Sequence, residues 1–160
     1  MVSANLLRET WEAVVTAHKE GLRFISKWSE VLDHDNDQHN ARCSWLPPQV
    51  QLAVDGRVTK TLFTVNLFFE DNHEADRTTD TRDDVYERMQ VVAAQCLLYY
   101  RELYIEGELT YQGVPVRLMQ EGPATFTASF DSAGEMATGC RMTVTLSTYV
   151  QFCASDYFNS

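Results

Sequence analysis

The segment from Cys140 to Phe152 alternates apolar and polar residues without a break, and it constrains the fold more than any other feature of the chain. Successive side chains in a β-strand point to opposite faces, so the pattern predicts one long strand with an apolar face and a polar face. The apolar side holds Cys140, Met142, Val144, Leu146, Val150 and Phe152, with Thr148 as its polar member, and the polar side holds Arg141, Thr143, Thr145, Ser147, Tyr149 and Gln151. At about 3.3 Å per residue the strand would extend roughly 40 Å, beyond the usual length of about five or six residues. A small domain buries little of so long a strand by itself, which favours contact with another chain.

Composition and charge narrow the class of protein. A length of 160 residues with 44% hydrophobic residues predicts a single domain over residues 1–160 with a core of its own. The net charge of −10 argues against a surface that grips nucleic-acid phosphates, although DNA could still pass without being held. No apolar run approaches the roughly 20 residues that span a bilayer, and the first 15 residues do not match a signal peptide, so export is not predicted. The cysteines lack CxxC spacing and are interpreted as reduced, partly buried thiols: Cys43, Cys96, Cys140 and Cys153.

Periodicity predicts an α+β fold, an antiparallel sheet with one long helix packed on it and an additional N-terminal helix. The helices are expected over Ser3 to Glu20, ended by Gly21, and from Asp80 or Thr81 to Gly107, with Asp83 and Asp84 in the first turn. The strands are expected at Leu22 to Trp28, Val50 to Val54, Val58 to Phe69, Val114 to Met119, Ala124 to Phe130 and Cys140 to Phe152, with a hairpin turn at Asp55-Gly56 and a turn over Asp131 to Gly139. The predicted core joins strand residues Phe63, Val65, Leu67, Val144 and Leu146 to helix residues Val85, Met89, Val92 and Cys96.

Two acidic segments, Ser29 to Arg42 and Glu70 to Arg82, are interpreted as exposed loops. The first contains the densest set of possible metal ligands: Asp33, His34, Asp35, Asp37 and His39. A calcium-binding EF-hand is rejected, because Gln38 stands where the loop needs Gly and Ser44 where it needs a bidentate Glu. A zinc site would need ligands that no spacing identifies. We interpret the segment as a solvated loop and predict no metal and no cofactor.

The remaining candidates for chemistry are isolated residues. His73 lies between Asp71 and Glu74 in the second acidic segment and is interpreted in the same way. His18 falls on the apolar side of the first helix, where a hydrogen-bonded core or interface residue is favoured over a catalytic base. Nucleophile and phosphate-binding motifs are absent, so no catalytic residue is predicted, although a hydrolase with two carboxylates stays open. Four tyrosines near the end of the long helix could form a ligand platform, but we favour a sheet-edge or subunit contact: Tyr99, Tyr100, Tyr104 and Tyr111.

Three segments, which together cover most of the chain after Val50, follow a recognisable order. They are the strand and acidic loop VTKTLFTVNLFFEDNHEADRTTD, the helix DDVYERMQVVAAQCLLYYREL, and the closing loop and strand FDSAGEMATGCRMTVTLSTYVQFC, with Ser3 to Glu20 as a leading helix. This order resembles that of the tail-terminator and tail-completion proteins of tailed bacteriophages. The segment from Asp33 to Asn40 is not part of the family pattern, and it leaves a related neck or tail-tube role open.

The resemblance implies a non-enzymatic virion subunit. It implies a homo-oligomeric ring, commonly a hexamer, that caps the tail tube, joins it to the head or neck connector proteins, and is assembled in the host cytoplasm. An acidic bore would let DNA pass without specific binding. The first alternative is a small α+β ligand-binding domain or enzyme that uses the acidic loops and the tyrosines. The second is an adaptor that binds one protein partner by strand addition along the last strand.

Overall fold

The structure, a computed structural model, describes residues 3–26, 41–55, 58–72, 82–130 and 137–151. Two helices are present in these ranges, α1 (Ala4–Thr16) and α2 (Arg82–Glu106). The strands are β1 (Arg23–Ile25), β2 (Arg42–Trp45), β3 (Gln49–Asp55), β4 (Val58–Asn72), β5 (Thr110–Tyr111), β6 (Val114–Pro115), β7 (Met119–Gln120), β8 (Thr125–Phe130) and β9 (Ala137–Gln151). None of the described helices is both long enough and apolar enough to cross a membrane.

The sheet is organised around the pairing of β4 with β9. These strands are antiparallel over 15 residues each, from Val58 opposite Gln151 to Asn72 opposite Ala137. β3 and β2 lie one after the other along the outer side of β4, and β7 and β8 lie in the same way along β9. Within the described residues, seven strands form this sheet, and all of its pairs are antiparallel except β1 with β2. The predicted α+β class is confirmed.

Local chemistry favours the start of both helices and the end of α2. The Ser3 hydroxyl accepts a hydrogen bond from the Leu6 N–H at 3.2 Å, which caps the first turn of α1. Asp83 and Asp84 lie in the first turn of α2, where carboxylates stabilise the positive end of the helix dipole. Gly107 follows α2 with a φ of 71°, a conformation that glycine adopts without strain. α1 ends at Thr16, earlier than the predicted Glu20.

The predicted core is confirmed. All nine residues assigned to it from the sequence are buried and belong to one apolar cluster between the sheet and the helices. Trp11 of α1 joins this cluster by stacking on Tyr100 of α2, with ring centroids 4.7 Å apart and planes 7° from parallel. The Tyr100 hydroxyl donates a hydrogen bond to the Leu118 carbonyl oxygen at 2.7 Å. Tyr100 therefore joins α2 both to α1 and to the segment just before β7.

The interpretation of residues 29–42 and 70–82 as exposed loops was wrong where the structure describes them. Ala41 is buried and Arg42 begins β2, while Glu70 and Asp71 are buried inside β4. The Arg42 Nε lies 3.5 Å from a Glu70 carboxylate oxygen, and both side chains are only 6% exposed. Asp71 pairs with Arg88 of α2. Charged side chains can be buried when an opposite charge lies beside them, so a polar sequence alone does not predict a loop.

Three strand predictions also need correction. The strand expected over Leu22 to Trp28 is only Arg23–Ile25, and Trp28 lies outside the described residues. The strand expected over Val114 to Met119 is broken into β6 and β7, with β6 paired to β5 in a separate ribbon. The turn expected up to Gly139 ends earlier, since β9 begins at Ala137.

Gly139 lies where β4 and β9 approach closely. It is opposite Glu70, and a Cβ atom at position 139 would overlap the Phe69 carbonyl oxygen and lie 2.7 Å from the Glu70 Cα. Only a residue without a side chain fits between these backbone atoms. The glycine is thus required by the pairing of the two longest strands.

Candidate functional site

The residues that the sequence suggested for metal binding lie mostly outside the described part of the structure. This holds for Asp33 to His39, for His73 and Glu74, and for Cys153. Ser44, the residue that excluded the EF-hand, is buried in β2. Within ranges 3–26, 41–55, 58–72, 82–130 and 137–151, no group of three or more His, Cys, Asp or Glu residues is placed to hold an ion.

His18 connects the end of α1 to α2. Its Nδ1 accepts a hydrogen bond from the Glu20 N–H at 3.1 Å, so the proton of the neutral ring is on Nε2, which donates to Gln95 Oε1 at 2.8 Å. The predicted hydrogen bonding is present, but His18 lies after the end of α1 instead of on its apolar side, and it is only partly buried. A cavity of about 650 Å³ lies here, lined by Val14, Ala17, His18, Lys19, Glu20, Gln95, Cys96 and Tyr99. Both ring nitrogens are already engaged, which leaves neither one to accept a proton from a ligand in the cavity.

The four tyrosines do not form one platform. Tyr100 is buried in the core and Tyr99, its neighbour in sequence, is 40% exposed on a different side of α2. Tyr104 and Tyr111 are partly buried. Tyr100 stacks on Trp11 inside the domain and is buried. That the tyrosine cluster covers the sheet edge or contacts a subunit stays a prediction.

The described thiols are structural rather than nucleophilic. Cys43, Cys96 and Cys140 are free and buried, as the sequence predicted. Burial raises the pKa of Cys96 to about 12 and that of Cys140 to about 11, and it raises the pKa of Cys43 as well. The reactive thiolate form is therefore rare at neutral pH.

The outer strand β3 presents an unusual surface. Its residues are paired with residues 58–64 of β4, and Val50 lies opposite the core residue Phe63, so the two side chains share a face. The apolar side of β3 therefore continues the core face of the sheet beyond the helices. It is nevertheless solvent-exposed, by 53% for Val50, 69% for Leu52 and 73% for Val54. Alternation predicted the strand correctly, but it did not reveal that the apolar side is uncovered.

The opposite edge of the sheet is formed in part by β8. Phe126 lies opposite Met142 and Ala128 opposite Cys140, so both point to the same face as the core. Ala128 is exposed, while Phe126 is partly buried against the core. Within the described residues, β3 pairs only with β4, and β8 pairs only with β9. The sheet therefore has two different edges, each with backbone groups available for pairing.

A polar network fixes the end of the sheet on which β3 lies. Glu121 pairs with Lys60 of β4 and accepts a hydrogen bond from the Ser147 hydroxyl at 2.6 Å. The Lys60 ammonium also lies over the Tyr149 ring, 5.7 Å from its centroid. These contacts lower the pKa of Glu121 and raise that of Lys60, mainly through the hydrogen bond between them. The network connects β4, β9 and the segment after β7. It therefore stabilises the part of β4 that pairs with β3.

The long helix has a second apolar surface. Val91, Leu98 and Ile105 are each more than half exposed and are spaced seven residues apart. Seven residues make almost two helical turns, so the three side chains form one line, on the opposite side of α2 from Met89 and Cys96. A helix with apolar residues on two opposite sides is typical of one that is covered on both. The seven-residue spacing was readable in the sequence, but the buried stripe alone was recognised there.

In the part of the chain that the structure describes, no cluster of His, Cys, Asp or Glu is placed to hold a metal ion, whereas apolar and strand-edge surfaces are uncovered. A scan of the chain against models of protein families gave no match, and neither did a search among curated proteins.

Proposed function

We propose that the protein is a structural virion subunit that assembles into a ring, caps the tail tube of a tailed bacteriophage and joins it to the head. The observation that carries this proposal is the open strand β3, whose apolar side extends the core face of the sheet into solvent. The order of elements that resembles tail-terminator proteins supports the same role.

The two sheet edges support a ring more than a symmetric dimer. A contact between two different surfaces of one subunit is head-to-tail, and repeated contacts of this kind close into a ring when the rotation between subunits permits. The described part of the chain offers such a pair of unlike edges in β3 and β8. The hexameric stoichiometry of the proposal comes from the family resemblance alone.

The acidic balance supports passage of DNA through the ring. A net charge of −10 on each 18.3 kDa subunit repels phosphates, and few basic contacts would hold the duplex back. The tail tube protein and the neck connector proteins are the partners that this role requires.

The alternative of a ligand-binding domain or enzyme rests on the cavity beside His18. It is less well supported, because His18 already has two hydrogen-bond partners and Tyr100 is buried in the core, stacked on Trp11. Native mass spectrometry of the purified protein distinguishes the two hypotheses, since a ring subunit forms multimers at high concentration and a ligand-binding domain keeps a small molecule on a single chain.

The direct test is electron microscopy of assembled phage particles in which this chain carries a small label. We expect the label at the junction of head and tail, arranged as a ring. Finding the chain only free in the host cytoplasm, bound to a small molecule, would overturn the proposal.

A further inference from the structure

We propose that β3 of one copy pairs with β8 of the next copy, so that the antiparallel sheet continues across the subunit boundary. This inference rests on the proposed ring function and identifies the interface that builds the ring. The partner is a second copy of this chain.

The directions of the strands are the first argument for pairing β3 with β8. β3 and β9 are both antiparallel to β4, so they run in the same direction, while β8 is antiparallel to β9. β3 and β8 consequently run in opposite directions at opposite edges of one sheet. Two copies placed side by side, with the same face upward, bring these edges together as an antiparallel pair. No copy has to be turned over, and the helices of both lie on one side.

The apolar side chains of the two strands are the second argument. Val50, Leu52 and Val54 of β3 lie on the core face of the sheet, and so do Phe126 and Ala128 of β8. Pairing the two edges would place these residues in one continuous apolar row. Cross-strand pairs of aromatic and branched residues stabilise a sheet by about 0.2–1 kcal/mol each. The exposed side of β3 would then be covered by a surface of matching chemistry.

The third argument is that the two edge strands have few of the residues that normally prevent a strand edge from pairing with another chain. Natural edge strands commonly carry lysine, proline or other charged residues that block unwanted pairing. β8 contains no charged residue and no proline, and the only charged residue of β3 is Asp55 at its end, in a chain with 36 charged residues. Both edges are therefore chemically open. Because β8 is uncharged, two copies of net charge −10 can pair β3 with β8 without placing like charges of the two strands opposite one another.

The positions of the two edges fit a closed assembly. β3 lies along residues 58–64 of β4, whereas β8 lies along residues 138–143 of β9, which are opposite residues 66–71 of β4. Joining β3 to β8 therefore shifts each copy along the strands by roughly 25 Å relative to its neighbour, at about 3.3 Å per residue. A regular stagger of this kind is what closing a sheet into a barrel requires.

Disulfide trapping tests the interface directly. In a Cys140→Ala, Cys153→Ser background, Ala128→Cys is combined in turn with Val50→Cys, Leu52→Cys and Val54→Cys, and the concentrated protein is oxidised. Cys140 is removed because it lies directly opposite position 128 and could form a disulfide within the chain. A disulfide needs Cα atoms about 5.5–6 Å apart, so one register should give a ladder of covalent multimers on a non-reducing gel. Gln51→Cys combined with Ala128→Cys is the matched control, since Gln51 is on the other face of the same strand, and it should give no ladder.

Mixing two blocked variants tests whether the contact is head-to-tail. Leu52→Lys blocks β3, Ala128→Lys blocks β8, and both positions are exposed in the single chain, so each variant should fold. Neither variant alone should form multimers, while an equal mixture should form a complex of about twice the 18.3 kDa subunit mass and nothing larger. Gln51→Ser, an uncharged substitution on the other face of β3, should assemble like the unmodified protein.

The outcomes separate this inference from the proposed function. Three results would overturn the β3–β8 interface. The first is the absence of covalent multimers in every cysteine register. The others are covalent dimers formed by Leu52→Cys alone and normal assembly of both lysine variants. A labelled ring at the head–tail junction without the β3–β8 crosslink would keep the function and reject the interface. If the β3–β8 crosslinks form but the protein is never found at that junction, the interface is kept and the proposed function is rejected.

Discussion

At the scale of single residues, stability depends on side chains that the sheet and α2 enclose. Leu146 is fully buried between Phe63 of β4 and the helix layer. We expect Leu146→Ala to lower the free energy of unfolding by about 2–5 kcal/mol, because it removes apolar contacts and leaves a cavity. Urea denaturation measures the change. Leu98→Ala, at an exposed position of α2, is the control and should change it by less than about 0.5 kcal/mol. Equal effects of the two substitutions would contradict the assignment of the core face.

Tyr100 is a second residue whose role can be isolated. Its buried hydroxyl donates to the Leu118 carbonyl, so Tyr100→Phe should leave that acceptor unpaired and cost about 1–3 kcal/mol. Tyr99→Phe removes the same atom from an exposed neighbour and should be nearly neutral. Thermal denaturation of the two variants makes the comparison, and an unchanged melting temperature for Tyr100→Phe would show that the hydrogen bond does not contribute.

The pair of Glu121 and Lys60 predicts a dependence on pH. Hydrogen bonds from Lys60 and Ser147 lower the pKa of Glu121 in the folded protein. Its stabilising effect is therefore complete above the pKa of an unfolded glutamate, and it is lost as the pH falls through the lower folded pKa. Glu121→Gln should destabilise the protein at pH 7 and make a smaller difference at pH 3. Denaturant midpoints of both proteins at the two pH values test this, and a difference that does not shrink at pH 3 would contradict it.

At the scale of elements, the sequence predicted the parts with strong periodicity. Alternation located β4, β8 and β9, and the spacing from Val85 to Tyr100 located α2 and its buried side. β2 was missed because it is four residues long and contains Arg42, whose burial depends on Glu70 in a distant part of the sequence. Exposure of β3 was also unpredictable, since alternation shows that a strand has an apolar side but does not show what covers it.

At the scale of the whole molecule, the prediction that no metal is required can be tested on the complete chain. Adding a chelator should leave the melting temperature and the assembly state unchanged, because no adequate ligand set is readable from the sequence. The measurement also covers the acidic residues from Asp33 to His39. A lower melting temperature with chelator, restored by added metal, would identify a site that includes them.

The pairing of β4 with β9 has a consequence for synthesis on the ribosome. β4 is translated early, but β9, which pairs with β4 along its full length, is translated only after α2 and β8. Val58 therefore has no partner on β9 until Gln151 has been made. At about 5–20 residues per second, the edge of β4 that will pair with β9 stays open for several seconds, and Phe63, Val65 and Leu67 lack their partners on β9 during that time. During this interval the chain should attract chaperones and be open to proteases. A chain stalled before residue 137 should be digested throughout, whereas one released beyond residue 151 should resist.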